Sequence, residues 1–377
     1  MSQSSPEAMR EPFKGLAVGD SLHATVAARD ASTLTLRCVR EAQAQAQVFT
    51  TASPQVADLS SGGAEQPLDV ATHHGLIRLL AAVKELPPVR MGVVHPCDAI
   101  SLSAALDAHR LGLIEPVLIA PRAKLEGIAL AQGFELQGLR IEDVPHSHAA
   151  AEHGARLAAS GELEGLMKGS LHTDELMAAV VAGSAGLRTK RRVSHCFVLQ
   201  TASYPRPFIV TDAAINLAPD LLQKADIARN AIELAQVLGV ARPKLAILAA
   251  VETVNPSMPA TLDAAALCKM ADRGQITGGV LDGPLAFDNA VSIEAARTKG
   301  ITSHVAGQAD ILLVPDLESG NMLAKQLMYL GGAASAGIVL GAKVPIVLTS
   351  RADSRESRIA SCAIALLLAH HYRQAPP

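Results

Sequence analysis

From about residue 70 onward, short runs of branched apolar residues alternate with amphipathic stretches, and this rhythm confines the chain to one kind of architecture. Runs at 90–95, 116–120, 193–200, 208–212, 244–250 and 277–281 predict strands. Stretches at 76–84, 98–111, 124–132, 148–159, 221–238 and 262–273 predict helices. Strand–helix alternation implies an α/β fold, a mainly parallel sheet covered by helices on both faces. The last third shows the pattern at its clearest. Ile311-Leu312-Leu313-Val314 empties into a loop with Asp316, Glu318 and Asn321. Val344-Pro345-Ile346-Val347-Leu348 empties into one with Thr349, Ser350, Arg351 and Asp353. Ligands of parallel sheets bind beyond the strands' carboxyl ends, so these two loops are expected to mark an active-site edge.

Residues 15–52 follow another rule. Three alternating runs, around 22–27, 33–39 and 44–51, predict an antiparallel β-meander. Residues 1–14 are polar and expected to be disordered, and the Ser/Gly/Pro-rich 53–69 reads as a linker. Of 377 residues 49% are hydrophobic, but the excess is Ala, Leu and Val spread along the chain. No run reaches the roughly 18 residues of a membrane span, and the N-terminus has no apolar segment of the signal-peptide kind. Five scattered cysteines form no C-x-x-C pair, which favours free thiols in a reducing cytoplasm over a zinc site or disulfides. A net charge of −3 with 2% aromatics argues against nucleic acid as a partner. Small molecules and further copies of the chain are the expected partners.

Several segments could carry chemistry. Arg351 offers a planar fork matched to phosphate or carboxylate, with the Ser350 hydroxyl beside it; the plainer alternative is a helix cap near Ser354 and a solvated Arg. Lys168, Gly169, Ser170 and Thr173 lead into a helix whose free amides would favour an anion, or simply form a capped helix start. The cation cluster Arg188, Lys190, Arg191 and Arg192 is either a solvated face or an attraction for phosphorylated substrates. Segments 211–216, with Asp212 and Asn216, and 282–289, with Asp288, follow strands and read equally as turns. His172 and His195 lie near these loops, and a lone His is more often structural. No metal-ligand spacing, nucleophile elbow or dinucleotide fingerprint is present.

Taken in order, MKGSLHTDELM, GLRTKRRVSH, FIVTDAAINLAPD, KLAILAAVETVNPSM, GGVLDGPLAFDNAVS, VAGQADILLVPDLESGN and GAKVPIVLTSRADS resemble the phosphate acetyltransferase and phosphate butyryltransferase family, from about residue 75 to the C-terminus. The resemblance implies two-domain, three-layer αβα architecture similar to the isocitrate and isopropylmalate dehydrogenases, with a cleft between domains. One domain would comprise 70–187 and 339–377, the other 188–338. It implies reversible transfer of an acetyl, propionyl or butyryl group between coenzyme A and phosphate. CoA thiolate would attack acyl phosphate in a ternary complex, with no cofactor, in a cytoplasmic homodimer or higher homo-oligomer. Ser350 and Arg351 would stabilise the oxyanion and the leaving phosphate. Lys168, Gly169, Ser170, Thr173, Asp212, Asn216, Asp288, Asp316 and Asn321 fall in the matching segments as substrate-binding candidates.

Two positions depart from the acetyl branch. Its phosphate-gripping Arg is Met177 here, and Arg188 from the GLRT segment is the candidate replacement. Its Asp, seven residues after the Ser of Ser-Arg, is Ser357 here, which leaves Asp353 and Glu356 as candidate bases. The N-terminal LAVGDSLHATVAARDASTLTLRC resembles the closing strands of a MaoC-type hot-dog hydratase, without that enzyme's catalytic helix. Two other readings stand beside the transferase. One is an acyl-CoA binding protein that has lost catalysis; the other is a metal-dependent decarboxylating dehydrogenase of the same fold. If Arg351 pairs with a buried anion, Arg351→Ala should cost about 2–4 kcal/mol of transition-state stabilisation. A loss of less than threefold in kcat/KM would exclude that role.

Overall fold

Several strands beyond residue 88 are apolar on both sides, so each of these must be covered twice. β4 (Val89–Val94) buries every residue but Arg90, β9 (Phe208–Thr211) buries all of its residues, and β13 (Ala334–Leu340) all but its first. Fully burying one Leu, Ile or Val side chain contributes about 1.5–3 kcal/mol, so these strands supply much of the drive to fold. The computed structural model describes the backbone of residues 22–29, 33–40, 43–52, 70–350 and 352–377, with side chains at 75, 77–350 and 352–377. The expected disorder of 1–14, the whole 53–69 linker, and Arg351 lie outside the described residues.

Two units are resolved, Met1–Pro67 and Leu68–Pro377. In the first, β1 (Leu22–Arg29), β2 (Thr33–Arg40) and β3 (Gln43–Ala52) pair antiparallel in that order, where the alternation places a meander. In the second, β4 and β9 join β5 (Ile114–Ala120), β6 (Arg140–Asp143), β7 (Gly165–Lys168), β8 (Ser194–Gln200), β10 (Lys244–Leu248), β11 (Val280–Leu285), β12 (Ile311–Leu313), β13 and β14 (Ile346–Val347). Among the described residues these eleven form one sheet, in the order β11-β10-β12-β9-β8-β13-β14-β7-β4-β5-β6. It is not uniformly parallel. β13 is antiparallel to β14 and to β8, and β8 is antiparallel to β9, whereas every other pairing is parallel.

Helices form the outer layers. α1 (Val70–Val83), α2 (Ala99–Arg110), α3 (Arg122–Gln132), α6 (Leu221–Val237), α7 (Pro259–Asp272) and α11 (Arg355–Gln374) share the largest apolar cluster on one face. α4 (Ser147–Ala159) and α5 (Thr173–Val181) cover part of the other face. α8 (Phe287–Val291), α9 (Ile293–Thr298) and α10 (Leu317–Tyr329) cover the rest. β13 shows the division residue by residue: Ala336, Ile338 and Leu340 join the α6/α11 side, and Val339 the α4/α5 side. None of the described helices is long and apolar enough to cross a membrane.

Most elements coincide with the sequence expectation, but Glu318 and Asn321, expected in a loop, lie in α10, and β13 has no counterpart in that expectation; the other exceptions have local causes. β11 lies at 280–285 rather than 277–281, and it contains Asp282-Gly283-Pro284, residues that read as a turn. Pro is tolerated there because β11 is an edge strand. β6, α8 and α9 are too short to leave a periodic signal.

Four cysteines are described, all as free thiols: Cys97, Cys196 and Cys362 are buried and Cys268 half-buried. Burial pushes Cys196, Cys268 and Cys362 up to about 12, and it raises Cys97 as well.

His195 on β8 is fully buried, its ring set edge-on to Phe197 at 4.4 Å between centroids. Neither ring nitrogen completes a hydrogen bond, and burial lowers the pKa to about 4, only partly offset by the Leu348 carbonyl. The ring is therefore neutral at physiological pH and structural, the plainer of its two sequence readings. Only the unfolded chain takes up the proton between pH 6.5 and about 4, so this contribution is complete above pH 6.5 and lost as pH falls towards 4. The loss should reach on the order of 3 kcal/mol. The melting temperature of wild type relative to that of His195→Phe should fall as the pH goes from neutral to acid. Parallel curves would mean that burial of this ring is not coupled to a proton.

Candidate active site

At the carboxyl ends of β4 and β7 two loops are fastened together. Gly169 N–H donates to the Val94 carbonyl at 2.9 Å, and Ser170 N–H to the His95 carbonyl at 2.9 Å. The Ser170 hydroxyl also reaches the His95 carbonyl at 2.9 Å and accepts from Cys97 N–H at 3.2 Å, with His95 Nδ1 at 3.1 Å. Glycine is required at 169, where a Cβ would lie 2.4 Å from the Val94 carbonyl oxygen. His95 takes a left-handed φ of 54° at this joint, uncommon for a residue with a side chain.

β14 runs parallel to β7, pairing Ile346 with Leu166 and Val347 with Met167, so the Thr349–Asp353 loop emerges beside Lys168. Ser350 N–H donates to Asp353 Oδ2 at 2.6 Å, Asp353 N–H to the Ser350 carbonyl at 3.2 Å, and Ala352 N–H to Ser350 Oγ at 3.3 Å. Ser354 caps α11 by accepting from Ser357 N–H at 3.1 Å. Burial raises the Asp353 pKa, against the pull of the Ser350 N–H and of Arg358, Lys168 and Lys325.

A narrow crevice at this edge is bounded by Asp98, Ser101, Lys168, Gly169, Ser350 and Arg358. Arg358 escaped the sequence reading. Its guanidinium donates through Nη1 to the Asp353 carbonyl, and its Nε is buried without a hydrogen-bond partner. Helical spacing was the available signal, since Arg358 sits one turn beyond the Ser354 cap. Ser357 is buried, with Ser335 Oγ at 3.0 Å and Ser354 Oγ at 3.3 Å. Met177 is also buried, in the apolar cluster of α4 and α5. His172, rather than Thr173 or Asp174, caps α5, and it makes no side-chain capping bond. Glu356 lines a larger cavity behind this loop.

The remaining candidates do not gather at this edge. Asp212 is buried and accepts from Ala214 and Ile215 N–H at 2.9 and 3.0 Å and from Asn216 Nδ2 at 2.6 Å; burial raises its pKa despite these bonds. Asn216 in turn accepts from Arg192 Nε at 2.7 Å. Asp316 caps α10, and Asn321 Nδ2 donates to the Ala213 carbonyl at 3.1 Å. Asp288 is exposed, 3.6 Å from Lys299 Nζ. Arg188 pairs through its backbone with Ala342, just past the C-terminal end of β13, whereas Ser350 comes level with that strand's beginning. The loops after β12 and β14 thus lie at opposite sheet edges, because strand direction reverses between them. α10 returns from one edge to the other, bringing the charge of Lys325 within range of Asp353. No group of three or more His, Cys, Asp or Glu that could hold a metal occurs among the described residues.

The "Phosphate acetyl/butaryl transferase" family model matches residues 146–366. A phosphate acetyltransferase of Rhizobium meliloti is 57% identical over 298 residues, 79% of this chain and 94% of that protein. A phosphate butyryltransferase of Clostridium acetobutylicum is 41% identical over 286 residues, 76% of this chain and 94% of its own. Among solved structures, a branched-chain phosphotransacylase from Enterococcus faecalis V583 superposes with a TM-score of 0.65 at 29% identity, covering 75% of this chain and 99% of that one. A phosphotransacetylase from Streptococcus pyogenes shares the fold with a TM-score of 0.68 at 22% identity, covering 81% and 100%.

Asp353 holds the Ser350 turn, and accepting a proton would be a second, separable duty. Asp353→Asn keeps an oxygen for the Ser350 N–H and loses the base. If the carboxylate is the base, kcat/KM should fall by about 10²-fold or more. In wild type the acid limb of the pH–rate profile should then sit above the ordinary Asp range, because a raised pKa leaves the base protonated at higher pH. A loss below threefold would leave Asp353 only its structural duty.

Proposed function

The chain belongs to the phosphate acetyl/butyryltransferase family, and we infer that it transfers a short acyl group reversibly between coenzyme A and inorganic phosphate. Family membership, with the Ser350 turn and Lys168 brought to one sheet edge, is the observation that carries this reading. In the direction of acyl-CoA synthesis, the CoA thiol gives its proton to Asp353 and the thiolate attacks the acyl phosphate carbonyl. The Ser350 hydroxyl and Arg351 stabilise the oxyanion; the carbon–oxygen bond to phosphate then breaks and phosphate departs. Holding both substrates together in a ternary complex can be worth roughly 7–11 kcal/mol. Coenzyme A and phosphate enter as substrates.

Asp353 is preferred to Glu356 as base because it is bonded to the Ser350 turn itself. For the phosphate we assign Lys168 and Arg358 ahead of Arg188, since both border the crevice with Ser350. The buried, unpaired Nε of Arg358 favours an anionic guest. Asp212, Asn216, Asp288, Asp316 and Asn321 shape the loops of the second half in this scheme. The cleft would fall between 70–187 with 339–377 and 188–338, a division supported by the reversal of strand direction around β13 and β8. A cytoplasmic homodimer or higher oligomer follows from the same family reading. A second reading, an acyl-CoA binding protein without turnover, draws on the buried Met177 and Ser357.

CoA release from acetyl-, propionyl- and butyryl-CoA, followed with a thiol reagent with and without phosphate, tests the inference. Phosphate-dependent release is expected. Silence with all three while CoA still binds would transfer the case to the binding protein.

A further inference from the structure

Behind the Ser350 turn, on the sheet face that carries α1, α6 and α11, lies a cavity of about 860 Å³. That volume is within the range of about 300–1,000 Å³ typical of small-molecule sites. The near wall is Ala352, Asp353, Ser354 and Ser357, so the cavity begins where the Ser350 turn ends. Its interior is apolar, with Val198, Ile364 and Leu367 among the lining side chains. Much of the space exists because Ala334 and Ala336 of β13 and Ala360 of α11 are small. Two cations also line it: Arg78 on α1, and Arg206, which is already paired with Asp310 at 3.3 Å. Asp353 and Glu356 on the Ser350 side make the entrance unfavourable for an anion.

An apolar chamber with carboxylates at its mouth suits neither phosphate nor the diphosphate of CoA. It suits a neutral hydrocarbon tethered at the Ser350 turn. We propose that the cavity receives the tail of the acyl group, so that butyryl and longer or branched acyl chains are preferred to acetyl. This rests on the transferase reading above and deepens it by naming the substrate class. Each additional buried methylene should strengthen transition-state binding by roughly fourfold until the chamber is filled. The reaction at the carbonyl is unchanged, and only the tail distinguishes the substrates.

The test is kcat/KM for acetyl-, butyryl-, isovaleryl- and hexanoyl-CoA in phosphate-dependent CoA release by the full chain. Two fillers, Ala360→Phe at a half-buried position of α11 and Ala336→Leu at a buried position of β13, are compared with wild type. Wild type is expected to favour butyryl-CoA or a larger substrate over acetyl-CoA by at least tenfold. Either filler that folds should lower the hexanoyl-to-acetyl ratio by at least tenfold. Should both fillers misfold, the wild-type ranking alone decides. Wild-type preference for acetyl-CoA, or an unchanged ratio in a folded filler, would overturn the proposal and leave the transferase standing. Absence of phosphate-dependent release from every acyl-CoA would instead defeat the transferase reading itself.

Discussion

Because strand direction reverses between β14 and β13, again between β13 and β8, and again between β8 and β9, β14 with β7 and β4 empties at one edge of the sheet and β9 with β12 and β10 at the other. Everything about the candidate site follows from that seam. β4, β7 and β14 bring Lys168, Ser170 and Ser350 to one edge, while β9 and β12 take Asp212 and Asp316 to the other. The seam itself has little freedom. At Gly337 a Cβ would lie 2.7 Å from the Leu348 carbonyl oxygen and 3.0 Å from His195 Nε2, so glycine lets β13 approach β14 beneath the Ser350 turn.

The edge at Ser350 is organised by polar atoms that answer one another locally. Asp353 closes the turn, Ser354 starts the helix, and Arg358 returns to the Asp353 carbonyl one turn later. The serines behind them, Ser335, Ser357 and Ser361, tie α11 to β13; Gly337 N–H donates to Ser361 Oγ at 2.9 Å. Neutral hydroxyls achieve this without burying charge, which would have cost several kcal/mol per unpaired ion.

Strand and helix positions were legible because burial on two faces writes itself into continuous apolar runs, as at Val89–Val94 and Ile311–Leu313. The meander of β1 to β3 was legible for the opposite reason, a period of two. Strand direction was not. An apolar run looks the same in either sense, so the loops at Asp316 and Ser350 looked like parts of one edge. Arg358 was hidden by its setting, a charged residue in the first turns of a helix that also carries Arg355 and Glu356. Turn chemistry masked β11 in the same way. The Ser350 turn was found from residue type and family pattern together, since spacing alone could not separate a ligand-binding pair from a helix cap.

The described cysteines raise a question of chemical selectivity. A protein that holds an activated acyl group must not let its own sulfur compete with that of the substrate. A thiol whose pKa lies at about 12 is ionised to roughly one part in a hundred thousand at neutral pH. Cys196 and Cys362 are in addition wholly enclosed. Burial thus does more than fill the core: it makes these sulfurs poor acyl acceptors and poor partners for mixed disulfides with coenzyme A.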